Sequence, residues 1–265
     1  MDLQLGDRVY LVTGGGQGLG FAAAQALAAE GASVVISGPR EDSLSAAAER
    51  LGHEAADRVA WTVADNADAA TPDRLIAAAQ DRFGRLDGAL VSVGGAPPGT
   101  VATTPDDAWR RAIESVFLGA VRLARALGAY LADATPDGAL AGTGGSVVFV
   151  LAASVRAPLP GLAISNGLFP GLAGVVKMLA DDLGPYGVRM NGILPVRIAT
   201  DRVRQLDALA GDPDQVRARN SASIPLRRYG EPEEFGRLAA FLLSPAASYI
   251  TGAMVPVDGG AIRAI

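Results

Sequence analysis

The chain has 265 residues, a formal net charge of −5 and 49% hydrophobic residues. Open α/β sheets of this length commonly form one domain with a sizeable core. No apolar run approaches the ~20 residues of a membrane span, no basic stripe indicates nucleic acid, and the start lacks a secretory leader. We therefore expect a cytoplasmic protein with neither a membrane nor a nucleic-acid partner.

The sequence contains no cysteine and one histidine, His53. Disulfides, thiolate nucleophiles and sulfur-ligated metals are therefore excluded. Because His53 lies in a polar stretch after a helical pattern, we interpret it as a surface residue. Zinc and histidine acid–base chemistry are not expected, and no metal site is predicted.

Short β-branched runs alternate with Ala- and Leu-rich helical patterns, which is typical of βα units that build a parallel sheet. The predicted strands are 8–13, 33–37, 58–63, 88–93, 146–151, 188–193 and 253–257, with helices in most of the gaps. Residues 133–145 are interpreted as a solvent loop. The polar segment 200–228 follows the carboxyl end of a strand, where ligands of such sheets bind, so it is predicted to be a mobile lid.

A glycine-rich segment lies between the first predicted strand and an Ala-rich helical pattern. It reads Thr13-Gly14-Gly15-Gly16-Gln17-Gly18-Leu19-Gly20. Glycines in this position let the backbone approach a diphosphate, which then lies at the positive end of the following helix. A glycine pattern alone is weak evidence, but the order of strand, loop and helix makes the prediction of a dinucleotide site strong.

This loop resembles that of the short-chain dehydrogenase/reductase superfamily, and so do further residues along nearly the whole chain. These are Asp65, Gly95, Pro195, Thr200 and Val257-Asp258-Gly259-Gly260. The chain is most similar to members like the 3-oxoacyl carrier-protein reductases. The resemblance implies one Rossmann-like, doubly wound domain over residues 1–265, with a seven-stranded parallel sheet ordered 3-2-1-4-5-6-7.

The resemblance also assigns residues to a nicotinamide dinucleotide. These are Gly14, Gln17, Gly18, Leu19, Gly20, Asp65, Asn66, Gly95, Pro195 and Thr200. Two of the family's motifs are altered. Its Asn-Asn-Ala-Gly is Ser92-Val93-Gly94-Gly95 here, and its Pro-Gly is Pro195-Val196, which adds bulk where the nicotinamide would lie.

The end of the second predicted strand bears on the choice of cofactor. An acidic residue there would bond the ribose hydroxyls of NAD(H), whereas an arginine would receive the 2′-phosphate of NADP(H). The chain has Ser37-Gly38-Pro39-Arg40 and no carboxylate in this stretch. The sequence thus favours NADP(H) over NAD(H) through Ser37 and Arg40. A solvated Arg40 and a protein without a bound cofactor both stay open.

The family's catalytic residues do not recur in this chain. Its Tyr-x-x-x-Lys motif is absent, since the only lysine is Lys177 and no tyrosine precedes it by four residues. Alignment on the predicted helix that contains Lys177 places Ser165 at the tyrosine and Phe169 at the lysine. It places Ala152 at the serine and Val116 at the asparagine. The resemblance therefore implies an atypical member of the family.

Several polar residues remain near the expected pocket: Ser154, Arg156, Ser165, Asn166 and Arg197. The candidate catalytic residues are Arg156, Ser154 and Ser165. Ser154 lies two residues after Ala152 and could replace the missing serine. Arg156 stays charged at any working pH and suits a carboxylate or oxyanion, so the small-molecule substrate could be anionic. An Arg156 on a loop surface is an equally open interpretation.

Three functions are consistent with this sequence, which slightly favours the first over the second. The first is a non-redox or tyrosine-independent conversion of a small molecule. The second is an NADP(H)-dependent oxidoreductase, a ketoreductase or alcohol dehydrogenase, in which other groups replace the tyrosine. The third is a catalytically silent nucleotide-binding scaffold, against which the intact glycine loop argues. A homodimer or homotetramer is also predicted, because the patterns at 107–131 and 161–183 are more apolar than a one-sided surface helix requires.

Overall fold

The computed structural model describes residues 2–52, 56–95, 97–134 and 144–264. Seven strands form one parallel sheet in the order β3-β2-β1-β4-β5-β6-β7, which confirms the predicted Rossmann-like, doubly wound architecture. The strands are β1 Val9–Thr13, β2 Ser33–Gly38, β3 Val59–Val63, β4 Gly88–Ser92, β5 Gly145–Val150, β6 Val188–Pro195 and β7 Met254–Val257. Each bound lies within two residues of its prediction.

Helices cover both faces of the sheet. They are α1 Gly18–Ala29, α2 Glu41–Gly52, α3 Thr71–Phe83, α4 Asp106–Ala112, α5 Gly119–Asp133, α6 Ala163–Leu183, α7 Asp201–Leu209, α8 Pro213–Ser223 and α9 Pro232–Leu243. A π-helical turn, Ile113–Leu118, joins α4 to α5 without a break. The central strands are buried on both faces, so they read as continuous apolar runs rather than alternating patterns.

The core consists of two apolar layers, one on each face of the sheet. One layer packs α3, α5 and α6 against the strands, with Leu75, Leu127 and Val176 among its buried residues. The other packs α1 and α9, with Leu27 and Phe235. This arrangement leaves the carboxyl ends of the strands as the open edge of the fold, where ligands bind in sheets of this type.

Two helical stretches, Asp106–Asp133 and Ala163–Tyr186, are long and apolar enough to cross a membrane by length and composition. Their most apolar windows are 44% and 50% buried inside the fold, as in core helices. Packing on the sheet therefore accounts for part of their apolar character.

Two predicted segments differ from the structure or lie outside its description. The ends of the predicted loop 133–145 belong to α5 and β5, while residues 135–143 lie outside the described residues, as does His53. The predicted lid 200–228 is largely helical, because it contains α7 and α8. Its mobility stays a prediction.

Candidate functional site

A cavity of about 690 Å³ opens at the carboxyl ends of the strands. Its wall consists of the glycine loop, the ends of β2, β4 and β5, the first half of α6, and the first turns of α7. The volume is in the range of small-molecule and cofactor sites. The cavity therefore has the size and position that a dinucleotide and a small substrate require.

The glycine loop presents bare backbone to this cavity. Gly14 and Gly18 have φ of 64° and 57°, in the left-handed region that favours glycine. A Cβ built on Gly20 would lie 2.3 Å from the carbonyl oxygen of Gly14, so only glycine allows α1 to begin this close to the loop. The backbone and the positive end of α1 together fit the diphosphate of a dinucleotide.

The end of β2 carries a small polar cluster. Arg40 Nη2 lies 3.5 Å from Gln17 Oε1 and 3.3 Å from Ser43 Oγ, and the Ser43 hydroxyl donates to the carbonyl of Gly16 at 3.4 Å. All of them line the cavity, as does Ser37. Sequence reasoning missed Ser43, although its place one turn after Arg40 on α2 was a usable signal. The cluster fits a phosphate better than a pair of ribose hydroxyls.

The adenine side of the cavity contains the residues that the resemblance assigned to it. Asp65, Asn66 and Gly95 line the cavity. Asp65 is held in place because its Oδ1 accepts from the backbone N–H of Ala67 at 2.9 Å and its carbonyl accepts from the Thr71 hydroxyl at 2.6 Å. Leu19, Pro195 and Thr200 also line the cavity, as expected.

Two buried serines meet at the other end of the cavity. Ser154 lies in the 3₁₀ turn after β5, and Ser165 lies in the first turn of α6. Their hydroxyl oxygens are 3.1 Å apart, and Ser154 Oγ also lies 3.2 Å from the carbonyl oxygen of Ser165. Ser165 lines the cavity, whereas Ser154 lies behind it. The pair was predicted as two candidates, but its direct contact was not.

Ala152 and Phe169 line the cavity beside Ser165. Ser165 and Phe169 are four residues apart on α6 and lie on the same face, as the helical period predicted. Val116 is buried and lines a smaller neighbouring cavity of about 160 Å³ instead. The cavity wall at this end thus offers one hydroxyl surrounded by apolar groups.

Other polar candidates have different surroundings. Arg156 is exposed and is not among the residues that line either cavity, so its catalytic role stays a prediction. Asn166 is engaged with the backbone of Leu159, since its Oδ1 accepts at 2.8 Å and its Nδ2 donates at 2.9 Å. Its amide therefore stabilises the loop before α6.

Arg197 lines the cavity and belongs to a network that sequence reasoning missed. Its Nη1 donates to the buried carboxylate of Asp207 at 2.9 Å. The same carboxylate accepts from the Tyr229 hydroxyl at 2.9 Å and from Asn220 Nδ2 at 3.3 Å. The pKa of Tyr229 is raised, chiefly by burial, so the phenol stays protonated and donates. The network fixes α7 and α8 over the cavity.

Comparison with known proteins agrees with this geometry. Residues 14–261 match the family model described as enoyl-(acyl carrier protein) reductase. The chain is 33% identical to an L-rhamnose 1-dehydrogenase (NAD(P)(+)) of Azotobacter vinelandii, over 96% of each chain. It is 34% identical to a levodione reductase of Leifsonia aquatica, over 96% of this chain and 94% of that one.

A solved structure has the same fold. The L-sorbose reductase of Gluconobacter frateurii, in complex with NADPH and L-sorbose, superposes with a TM-score of 0.90 at 26% identity, and each chain is covered completely at 100%. The match to the family model spans the glycine loop, the cavity wall and the lid. This chain therefore belongs to the short-chain dehydrogenase/reductase superfamily.

Proposed function

We propose that this protein is an NADP(H)-dependent oxidoreductase of small molecules in which the hydroxyl of Ser165, with Ser154 behind it, faces the substrate oxygen in place of a tyrosine and a lysine. The observation that carries the proposal is one continuous cavity with bare glycine backbone at one end and the hydroxyl of Ser165 at the other. The redox activities named for the relatives favour this function over the non-redox conversion that the sequence alone slightly favoured.

The residues present fit the cofactor. The glycine loop would hold the diphosphate, and Arg40 with Ser43 and Ser37 would hold the 2′-phosphate of NADP(H), as a guanidinium beside hydroxyls does. A bound nicotinamide would supply or accept a hydride. Among the arginines of the cavity wall, Arg197 is paired with Asp207, whereas Arg40 lies at the end of β2 with hydroxyl groups beside it.

Ser165 is the group that would contact the substrate oxygen. The Ser154 hydroxyl donates to the carbonyl oxygen of Ser165 at 3.2 Å, so its oxygen accepts from Ser165 Oγ at 3.1 Å. Rotation of the Ser165 hydroxyl about its Cβ–Oγ bond would turn the proton toward a substrate oxygen in the cavity. A donor in this position stabilises negative charge that develops on a substrate oxygen. Because an alcohol is a weaker acid than a phenol, the arrangement favours activated carbonyl groups over simple ketones. Water would complete the proton transfer.

We further propose a homo-oligomer in which parts of α4, α5 and α6 form the interface. Ile113 and Met178 are exposed at 40% and 66% in this part of the surface. Light scattering at micromolar concentration should show a dimer or tetramer, and a monodisperse monomer would contradict the proposal.

Calorimetric titration with NADPH and NADH tests the cofactor. We expect NADPH to bind more tightly. Arg40→Gln should lower the affinity for NADPH by about 10- to 100-fold, since a hydrogen bond to a charged group is worth about 1.5–3 kcal/mol. The affinity for NADH should stay nearly unchanged. Substrate screening with NADPH then follows the absorbance of the reduced nicotinamide. Absence of binding by either dinucleotide would support the scaffold function instead.

A further inference from the structure

Helix α7 lies across the dinucleotide end of the cavity and contacts both of its sides. On one side, a Cβ built on Gly18 of the glycine loop would lie 3.7 Å from Thr200 Cγ2. On the other side, a Cβ built on Gly95, after β4, would lie 3.4 Å from Arg202 Nε. Two residues of one short segment thus bridge the two backbone walls of the cleft.

The start of α7 is fixed where this bridge forms. Thr200 is the N-cap of the helix, and its hydroxyl oxygen accepts from the backbone N–H of Val203 at 3.4 Å. Thr200 is also buried, with 8% of its surface exposed. Arg202 follows in the first turn, lines the cavity and is otherwise exposed. Its guanidinium is therefore presented to the cleft by a capped helix.

The position of Arg202 points to the diphosphate rather than to the substrate. The end of β4 lies directly beside the glycine loop, since a Cβ on Gly14 would be 3.3 Å from Ser92 Oγ. Gly95 follows this strand end, so Arg202 lies over the dinucleotide half of the cavity. The serine pair lies at the opposite end, on the turn after β5 and the start of α6.

The other two arginines of the cavity wall serve different places. Arg40 contacts Gln17 and Ser43 at the end of β2, and Arg197 is paired with the carboxylate of Asp207. A diphosphate carries about two negative charges, whereas the N-terminus of α1 offers only about half a positive charge. An arginine above the glycine loop would supply further positive charge and could bind two phosphate oxygens at once.

We propose that Arg202 binds the diphosphate of the nicotinamide dinucleotide and thereby docks α7 on the occupied cleft. The inference rests on the proposed function and adds a binding residue that couples the lid to the cofactor. Arg202 is a binding and positioning residue, because its proposed partner is the diphosphate and not the reacting atoms.

Binding of cofactor and of a fragment by calorimetry tests the proposal. Arg202→Gln should lower the affinity for NADPH by about 10- to 100-fold. Arg202→Lys should lower it less, because lysine keeps the positive charge. Adenosine 2′-monophosphate has the 2′-phosphate but neither phosphate of the diphosphate, so its affinity should change by less than about threefold. Arg40→Gln should lower the affinity for both NADPH and the fragment.

Arg204→Gln is the matched control. Arg204 lies on the same helix, pairs with Asp201 and does not line the cavity, so this variant should bind NADPH like the wild type. Hydrogen exchange gives a second readout. NADPH should protect the backbone amides of α7 in the wild type and in Arg204→Gln, but much less in Arg202→Gln at saturating NADPH.

These measurements distinguish failure of the proposed function from failure of the role proposed for Arg202. If the wild type binds neither NADPH nor NADH, the proposed function fails. If the wild type binds NADPH and Arg202→Gln binds it equally with the same protection of α7, only the role of Arg202 is refuted. If Arg202→Gln weakens the fragment as strongly as NADPH, Arg202 serves the adenosine end and the diphosphate assignment is wrong.

Discussion

The hydroxyl oxygens of Ser154 and Ser165 lie 3.1 Å apart in the buried wall of the cavity. The two serines come from different elements, and 4% and 5% of their surfaces are exposed. Ser154 Oγ contacts both the hydroxyl and the carbonyl oxygen of Ser165. The Ser165 hydroxyl is thereby held in one place at the end of the cavity without help from a charged neighbour.

Loss of the Ser165 hydroxyl should lower activity without changing cofactor binding. We expect Ser165→Ala to reduce kcat/KM by about 10²-fold, as removal of one donor to a developing oxyanion does, and Ser154→Ala to have a smaller effect. NADPH affinity by calorimetry should stay the same. Ser115→Ala is the control, since Ser115 lines the cavity but its hydroxyl donates to the backbone carbonyl oxygen of Arg111, one turn earlier. Full activity of Ser165→Ala would contradict the role.

The network of Asp207 should stabilise the lid. Asp207→Asn places an amide where three donors converge, and it leaves Arg197 without its carboxylate. We expect a loss of about 1–3 kcal/mol in the free energy of unfolding, because a buried hydrogen-bonding group loses its partners. Urea denaturation measures this change in the free energy of unfolding. Tyr229→Phe should cost less, about 1 kcal/mol, since it removes one neutral hydroxyl, which donates to Asp207 and accepts from Asn220, and leaves the carboxylate in place. Equal stability of Asp207→Asn and wild type would contradict the network.

Much of the fold is predictable from the sequence because the periodicity of each strand and helix is a local signal, whereas the order of the strands in the sheet was implied by the family resemblance. In each βα unit a run of β-branched residues indicates the strand. The right-handed crossovers between parallel strands then restrict the possible orders of the sheet. The strand ends moved by one or two residues, as at Val188–Pro195, because pairing with the last strand continues to Val257. The segment 200–228 was predicted to be a lid without assigned elements, and in the structure Thr200 and Asp212 cap two helices there.

The site was less predictable, because its contacts join residues far apart in the chain. Ser37 and Arg40 were found from their strand, whereas Ser43 completes the cluster only in three dimensions. Asp207 gave no signal in sequence, since its three partners lie 10, 13 and 22 residues away. Arg156 was an attractive candidate by charge, but the structure places it on the surface.

Stability should depend on pH through Glu234. Its carboxylate accepts from both terminal nitrogens of Arg228, at 2.7 and 2.8 Å, and from the backbone N–H of Glu231. The Arg228 hydrogen bonds, and next the backbone one, lower the pKa of Glu234 from 4.5 to about 2. A depressed pKa means that the contribution is complete above the unfolded pKa and is lost as the pH falls through about 2.

Glu234→Gln should therefore lower the urea midpoint at pH 7, with a difference from wild type that narrows between pH 4.5 and 2. The exposed Glu233→Gln, in the same turn of α9, is the control and should show little of this dependence. A difference that is constant with pH would show that the carboxylate charge is not responsible.

The last prediction concerns simple ketones. The wild type should reduce them slowly or not at all with NADPH, even where it binds the cofactor. Ala152, Ser165 and Phe169 line the reacting end of the cavity and provide no phenol or ammonium. General acid catalysis typically supplies ~10²- to 10⁴-fold in rate, which this wall would lack for an unactivated carbonyl. Brisk reduction of a simple ketone, unaffected by Arg156→Ala, would refute both the alignment and a role for Arg156.

Restoring single residues should achieve little, because a tyrosine and its lysine act as a unit. The triple change Ala152→Ser, Ser165→Tyr and Phe169→Lys should create measurable ketone reduction, whereas Ser165→Tyr alone should not. Phe169 is 5% exposed, so a lysine there needs the new tyrosine and the cofactor beside it, and stability must be measured in parallel. A folded triple variant that binds NADPH but reduces no ketone would show that Val116 or Val196 also has to change before this cavity can carry out the reaction.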